Sequence, residues 1–157
     1  MTICAQTGEL KLDDYKLVIH PQLTLSQFKA GDIPIAETSA PNKAGWTSCW
    51  FNGTIDRMRA EFTIMFRAEV IQQLFWEMAD AEAFSGQELC WRMNGWLLGV
   101  MGHPPPYEYE WGFISPAEID LHTGSPSVGV IFKSKILDMG FSDVHSFYEF
   151  RRNEPST

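Results

Sequence analysis

Apolar and polar side chains alternate most cleanly between residues 58 and 67. Met58, Ala60, Phe62, Ile64 and Phe66 share one parity, and Arg59, Glu61, Thr63 and Arg67 share the other, with Arg57 just ahead of them. A period of two sends successive side chains to opposite faces, so this segment predicts a half-buried strand. Asn52-Gly53 separates it from residues 45–51. Both residues tolerate positive φ, which a two-residue type I′ turn demands, so the pattern predicts a hairpin with arms 45–51 and 54–67. Residues 70–78 fit two periods. Ile71, Leu74, Phe75 and Met78 suit a helix, whereas Val70, Leu74, Trp76 and Met78 suit a strand. The β-rich arm before them favours a third strand, and with it a meander.

The flanks are read from caps and turns. Leu10 and Leu12, then Leu17 and Ile19 after Asp13-Asp14, predict two short strands. Thr24 with Gln27 forms a capping box opening a short helix that Gly31 ends. Residues 31–44, punctuated by Pro34 and Pro41, read as a long surface loop. Ser85-Gly86-Gln87-Glu88 is a second capping box, before the apolar run Leu89, Cys90, Trp91, Met93, Trp96, Leu97, Leu98, Val100 and Met101. Gly102 and then His103-Pro104-Pro105-Pro106 end that helix. Its apolar residues lie nearly all round, which predicts that it is largely buried against a sheet. Residues 107–114 and 128–132 read as strands, joined by an irregular connection through Gly124-Ser125-Pro126. Ser142 or Asp143 caps a last helix through Phe150, and Arg151-Arg152 suit the negative end of its dipole. Helices and strands do not alternate regularly. The class is therefore expected to be α+β: one domain over residues 1–157, with an antiparallel sheet packed on one long apolar helix and short helices besides.

Composition supports a globular chain. Of the 157 residues 45% are hydrophobic and 20% charged, with six Trp and eleven Phe that mostly belong to a core. No run approaches the roughly 18 to 20 apolar residues of a membrane span. Met1-Thr2-Ile3-Cys4-Ala5-Gln6 lacks the basic and apolar regions of a signal peptide, so a cytoplasmic location is expected. Cys4, Cys49 and Cys90 are widely spaced and suggest no disulfide framework.

Charge alters the picture more. Between residues 68 and 132 stand Glu69, Glu77, Asp80, Glu82, Glu88, Glu108, Glu110, Glu118 and Asp120, against Arg92 alone. Nine acids over one base is an excess of eight, the whole formal net charge of −8; both flanks are balanced. Such a stretch repels nucleic acid and acidic membranes and attracts basic proteins. Its two clusters, 77 to 88 and 108 to 120, make one site only if folding brings them to one face.

Candidate chemistry is sparse. His20, His103, His122 and His145 form no metal-binding pattern, and no metal or cofactor is expected. Gly124-Ser125-Pro126-Ser127 is not a nucleophile elbow, and no glycine-rich phosphate loop is present. Glu108 and Glu110, two apart on an expected strand, should project from one face, and Glu118 with Asp120 repeats the spacing if extended. Paired carboxyls are what glycoside hydrolysis uses, so a small carboxylate-dependent hydrolase is one reading. A scaffold or regulatory subunit of another complex is a second. The third, recognition of a basic protein, draws on Trp76, Tyr107, Tyr109 and Trp111 interleaved with the acids, because interfaces are rich in Trp and Tyr. Its contact residues would be Glu77, Asp80, Glu82, Tyr107, Glu108, Tyr109, Glu110, Glu118 and Asp120, with none catalytic and Tyr107 and Tyr109 as anchors if they face out.

The chain also resembles a group of small enterobacterial and pseudomonad immunity-type proteins associated with toxin loci. The matching residues begin with Gly8, Leu10 and Leu12, then Pro21, Thr24, Leu25 and Phe28, and Trp96, Leu97 and Gly102. They continue through Pro105, Pro106, Tyr107, Tyr109, Trp111, Gly112, Ile114, Ser115 and Asp120 to Gly124, Ser127, Val128, Val130 and Phe132. Cys90, Trp91 and Met93 depart from the charged helix face of that pattern, and Pro116-Ala117-Glu118 alters the segment before Asp120. The resemblance implies no catalytic residues. It implies a protein that binds and occludes a cognate toxin; where that toxin is a nuclease with a cationic groove, acidic groups imitate phosphate.

Overall fold

The computed structural model of the chain describes residues 1–79, 84–119 and 125–153. Within them ten strands and four helices form an α+β fold. Strands β1 (Thr2–Ile3), β2 (Leu10–Lys11) and β3 (Val18–Ile19) make a small antiparallel sheet, with the turn after Leu12 where the acids Asp13-Asp14 place it. The terminal amine of Met1 pairs with Asp13 at 2.6 Å. Helix α1 (Leu25–Ala30) follows, with Thr24 and Gln27 capping each other's backbone N–H groups and Gly31 at its end, as expected.

The main sheet comprises β4 (Ile35–Thr38), β5 (Trp46–Ile55), β6 (Met58–Arg67), β7 (Val70–Met78), β8 (Tyr107–Tyr109), β9 (Gly112–Ile119) and β10 (Pro126–Phe132). Their spatial order is β4-β5-β6-β7-β10-β9-β8, antiparallel throughout. The first four run as a meander. Helix α2 (Gly86–Met101) then carries the chain to β8 at the far edge, and β9 and β10 fold back until β10 pairs with β7.

The inner face of the sheet carries the core. Phe28 of α1 meets Phe51 at 5.6 Å, Phe51 stacks on Phe62 at 5.0 Å, Phe62 meets Trp76 at 6.0 Å, and Trp76 meets Trp96 of α2 edge-on at 6.0 Å. This file of rings ties α1, three neighbouring strands and α2 together by apolar burial plus favourable ring geometry. Among the described residues the outer face is covered at one end only. There α3 (Lys133–Asp138) and α4 (Val144–Arg152) bury Ile136, Val144 and Phe147 against Phe113 and Ile131. Asp143 is the N-cap of α4, accepting from the Ser146 backbone, and Arg151 and Arg152 lie in its last turn.

Four expectations are corrected. The β5–β6 hairpin exists, but its turn is Asp56-Arg57, at φ 48° and 65°, and Asn52-Gly53 pairs with Glu61 and Ala60 inside the ladder. Asp14 and Tyr15, reaching from the β2–β3 connection, hold that stretch extended: the Thr54 amide donates to Asp14 (2.7 Å), and the Tyr15 hydroxyl donates to the Asn52 carbonyl (2.5 Å). Residues 107–114 form not one strand but a hairpin, β8 and β9, turning at Glu110-Trp111. Its return strand starts at Gly112, where a Cβ would lie 2.3 Å from the Ile131 carbonyl oxygen of β10. Part of the expected 31–44 loop is the edge strand β4. Lastly, α2 buries a single stripe, Leu89, Met93, Leu97 and Met101, and leaves Trp91 and Leu98 67% and 46% exposed. The sheet lies against one side of this helix, so Cys90, Trp96 and Val100 beside the stripe are partly buried against the core, while Trp91 and Leu98 face away from it.

Candidate functional site

Pairing across the main sheet aligns acidic residues that are distant in sequence. Glu61 of β6 stands opposite Glu77 of β7, Glu77 opposite Ser127 of β10, and Ser127 opposite Glu118 of β9. Directly paired residues share a face, so the three glutamates form one row on the outer face. The next row holds Glu37, Trp50, Thr63, Phe75, Gly129 and Ser115. Trp50 and Phe75 are half-buried there, because each strand turns its fully apolar parity inward. Ser48, Trp50, Glu61, Thr63, Met65, Phe75 and Glu77 line an open concavity of about 450 Å³. Arg59 shares the outer parity of β6 with Glu61, so among the described residues the carboxylates of Glu37, Glu61, Glu77 and Glu118 stand with Arg59 at the end of the face that α3 and α4 leave free.

The expected site residues divide. Glu77 and Glu118 are brought together by β10. Asp80, Glu82 and Asp120 lie outside the described residues. Glu108 belongs to the same face through its pairing with Phe113, but α4 covers that end, and its carboxylate bonds to His145 Nδ1 at 3.0 Å. The hydrogen bond and the charge of Glu108 raise the pKa of His145 above its usual value. Glu110 does not accompany Glu108. It lies in the β8–β9 turn, beside a separate groove lined by Trp111 and Lys133, because the hairpin reverses the chain between the two. The single strand expected to project both carboxylates from one face therefore ends between them.

The two expected anchors also move inward. Tyr107 is 1% exposed, and burial raises its pKa. Tyr109 stacks on Trp111 at 5.2 Å and its hydroxyl meets His103 Nε2 at 3.1 Å; burial, chiefly, raises its pKa too. Trp111 is held by an indole N–H donated to the Ala5 carbonyl (2.7 Å), and Trp76 lies fully in the core. The rings beside the acidic row are instead the half-buried Trp50 and Phe75, which no local pattern singles out. The alternation that marks β6 as half-buried would have found Glu61, but pairing Glu61 with Glu77 needs the register of β7.

Two more acids of the charged stretch have local work. Glu69 accepts from the Ser26 backbone (3.0 Å) and Glu88 from the Ser85 backbone (2.9 Å), and these bonds lower both pKa values. Cys90 donates to the Ala117 carbonyl (2.9 Å), and burial first, then Glu118, raises its pKa, which leaves the thiol a poor nucleophile. Among the described residues no three His, Cys, Asp or Glu side chains are grouped to hold a metal, and no helix is long and apolar enough to cross a membrane. No protein-family model, curated protein or solved structure matches the chain. The likeness to immunity-type proteins thus rests on the residues already named.

Proposed function

We propose that the chain is a non-catalytic acidic binding protein whose open sheet face receives a cationic protein surface, and that this partner is a toxin domain it neutralises. The observation that carries the reading is the row Glu61, Glu77 and Glu118 beside Trp50 and Phe75, on sheet that no helix among the described residues covers. Carboxylates around half-buried rings accelerate encounter with a basic surface, and the rings then supply desolvated contact at low rotamer cost. A phosphate polymer or an anionic bilayer would be repelled at the same face. A cytoplasmic site of action agrees with three free cysteines, which such a compartment keeps reduced.

The test is association kinetics with the toxin domain encoded beside the chain, followed against ionic strength. The rate should fall steeply as salt rises. Reversing Glu61 and Glu118 together to Lys should slow association by about tenfold while leaving circular dichroism unchanged. No complex, or one whose on-rate ignores salt, would sink the reading.

A further inference from the structure

Trp50 and Phe75 stand on either side of Thr63 in one cross-strand row of the outer face. Trp50 of β5 pairs with Thr63 of β6, and Thr63 pairs with Phe75 of β7. Neighbouring strands lie roughly 4.8 Å apart, so the two rings rise about 10 Å from each other with the short threonine between them. The result is a slot inside the concavity of about 450 Å³. The pair Glu61 and Glu77 closes one end of it, and the pair Ser48 and Met65 the other.

This lining selects a cation. Among the described residues it holds two carboxylates and no lysine or arginine. Trp50 and Phe75 are half-buried, and among the described residues no cation packs over either ring. The same strand shows what such a ring receives. Trp46 shares the outward parity of Trp50 on β5, and the Lys135 ammonium of α3 lies 4.4 Å from its ring centroid. A tryptophan face attracts a cation through the ring quadrupole, and a carboxylate beside it adds a charge-assisted acceptor. Trp50 offers both, with Glu61 on the neighbouring strand.

We infer that the slot receives one arginine side chain of the cationic partner, an inference that rests on the outer face being the receiving surface. The guanidinium lies against the Trp50 face and donates to Glu61, while the methylene stem runs over Thr63 along Met65 and Phe75. Arginine fits better than lysine for two reasons. Its planar head stacks on a ring and donates through a fork at once, and it is less strongly hydrated than an ammonium, so entering a half-buried slot costs it less. Glu77 adds a second negative charge at the same end.

The probe is N-acetyl-arginine amide, titrated into the full chain at constant ionic strength while the Trp50 indole N–H is followed by nitrogen-15 NMR. The citrulline analogue keeps the shape without the charge, and the lysine analogue keeps the charge without the plane. Saturable Trp50 shifts in the millimolar range are expected with the arginine probe. The lysine analogue should bind several-fold more weakly, and the citrulline analogue about tenfold more weakly. Glu61→Gln should weaken the arginine probe about tenfold with circular dichroism unchanged. Glu110→Gln removes the same charge beside a different groove and should leave the affinity as it was. An unmoved Trp50 signal, equal affinity for the citrulline analogue, or equal losses in Glu61→Gln and Glu110→Gln overturns the inference. Association with the toxin domain is measured separately: an arginine probe that fails beside a toxin domain that binds ends this inference alone and leaves the proposed function standing.

Discussion

Glu61 and Glu77 stand directly opposite each other on neighbouring antiparallel strands, two carboxylates in cross-strand register. Like charges so placed disfavour the sheet by roughly 0.2 to 1 kcal/mol. Binding surfaces often trade stability for contact, and a like-charged cross-strand pair is one form that such a trade takes. Glu61→Gln should accordingly leave the urea midpoint unchanged or raise it slightly, by at most about 0.5 kcal/mol in stability. The same variant should associate more slowly with a cationic partner. A clear fall in the midpoint would show that Glu61 is there for the fold.

The hairpin turn offers a sharper test of backbone reasoning. Arg57 adopts φ 65° and Asp56 φ 48°, the left-handed region that costs an ordinary residue roughly 1 to 2 kcal/mol. Arg57→Gly relieves part of that strain, offset by the extra freedom glycine gives the unfolded chain. A net gain of about 0.5 kcal/mol in denaturant unfolding is expected. Were the chain to turn at Asn52-Gly53 instead, position 57 would lie within a strand and the same change would destabilise it.

That turn also shows where local pattern stops being informative. Periodicity found β6 and β7, and capping residues found α1, α2 and α4, because those signals lie within a few residues of one another. The turn moved four residues because Asp14 and Tyr15, some 40 positions away, bond the backbone of β5. The displacement was even, so each side chain kept its face and the core assignments survived. The site was legible only in outline. Glu77 and Glu118, both within the acidic stretch, share a row. Glu61 and Glu37 join them from outside the charged stretch, through strand pairings that no local pattern encodes. Tyr107 is buried because the reversal at Glu110-Trp111 pairs it with Ile114, whose side chain lies in the core, a pairing that alternation across 107–114 conceals.

Two glycines of opposite surroundings should answer oppositely to one added methyl group. At Gly112 a Cβ would lie 2.3 Å from the Ile131 carbonyl oxygen and 3.1 Å from Phe132 Cα, both backbone atoms of a paired strand. Only separation of β9 from β10 makes room, so Gly112→Ala should cost about 3 kcal/mol or more. Gly95 faces open space in the middle of α2. Gly95→Ala should gain about 0.5 to 1 kcal/mol from helix propensity alone. Thermal melts of the two variants against the parent decide both signs.

The bond between His145 and Glu108 ties α4 to the edge strand β8, and it makes that contact depend on pH. Glu108 raises the pKa of His145 above its ordinary value of 6.5 by accepting its hydrogen bond and stabilising its charge. For a raised basic group the stabilising contribution is fully present below the unfolded value, and it is lost as pH rises through the folded one. The tie should therefore hold at mildly acidic pH and slacken as the solution turns alkaline, the reverse of a buried neutral histidine. Proton NMR of the His145 ring should titrate with a midpoint above 6.5, and Glu108→Gln should bring that midpoint down. Exchange of the α4 amides should quicken over the same interval in the parent and show less pH dependence in the variant. A His145 midpoint at or below 6.5, or one that Glu108→Gln leaves unmoved, would mean that the two side chains do not pair in solution and that α4 is held by its apolar contacts, Val144, Phe147 and Tyr148 among them.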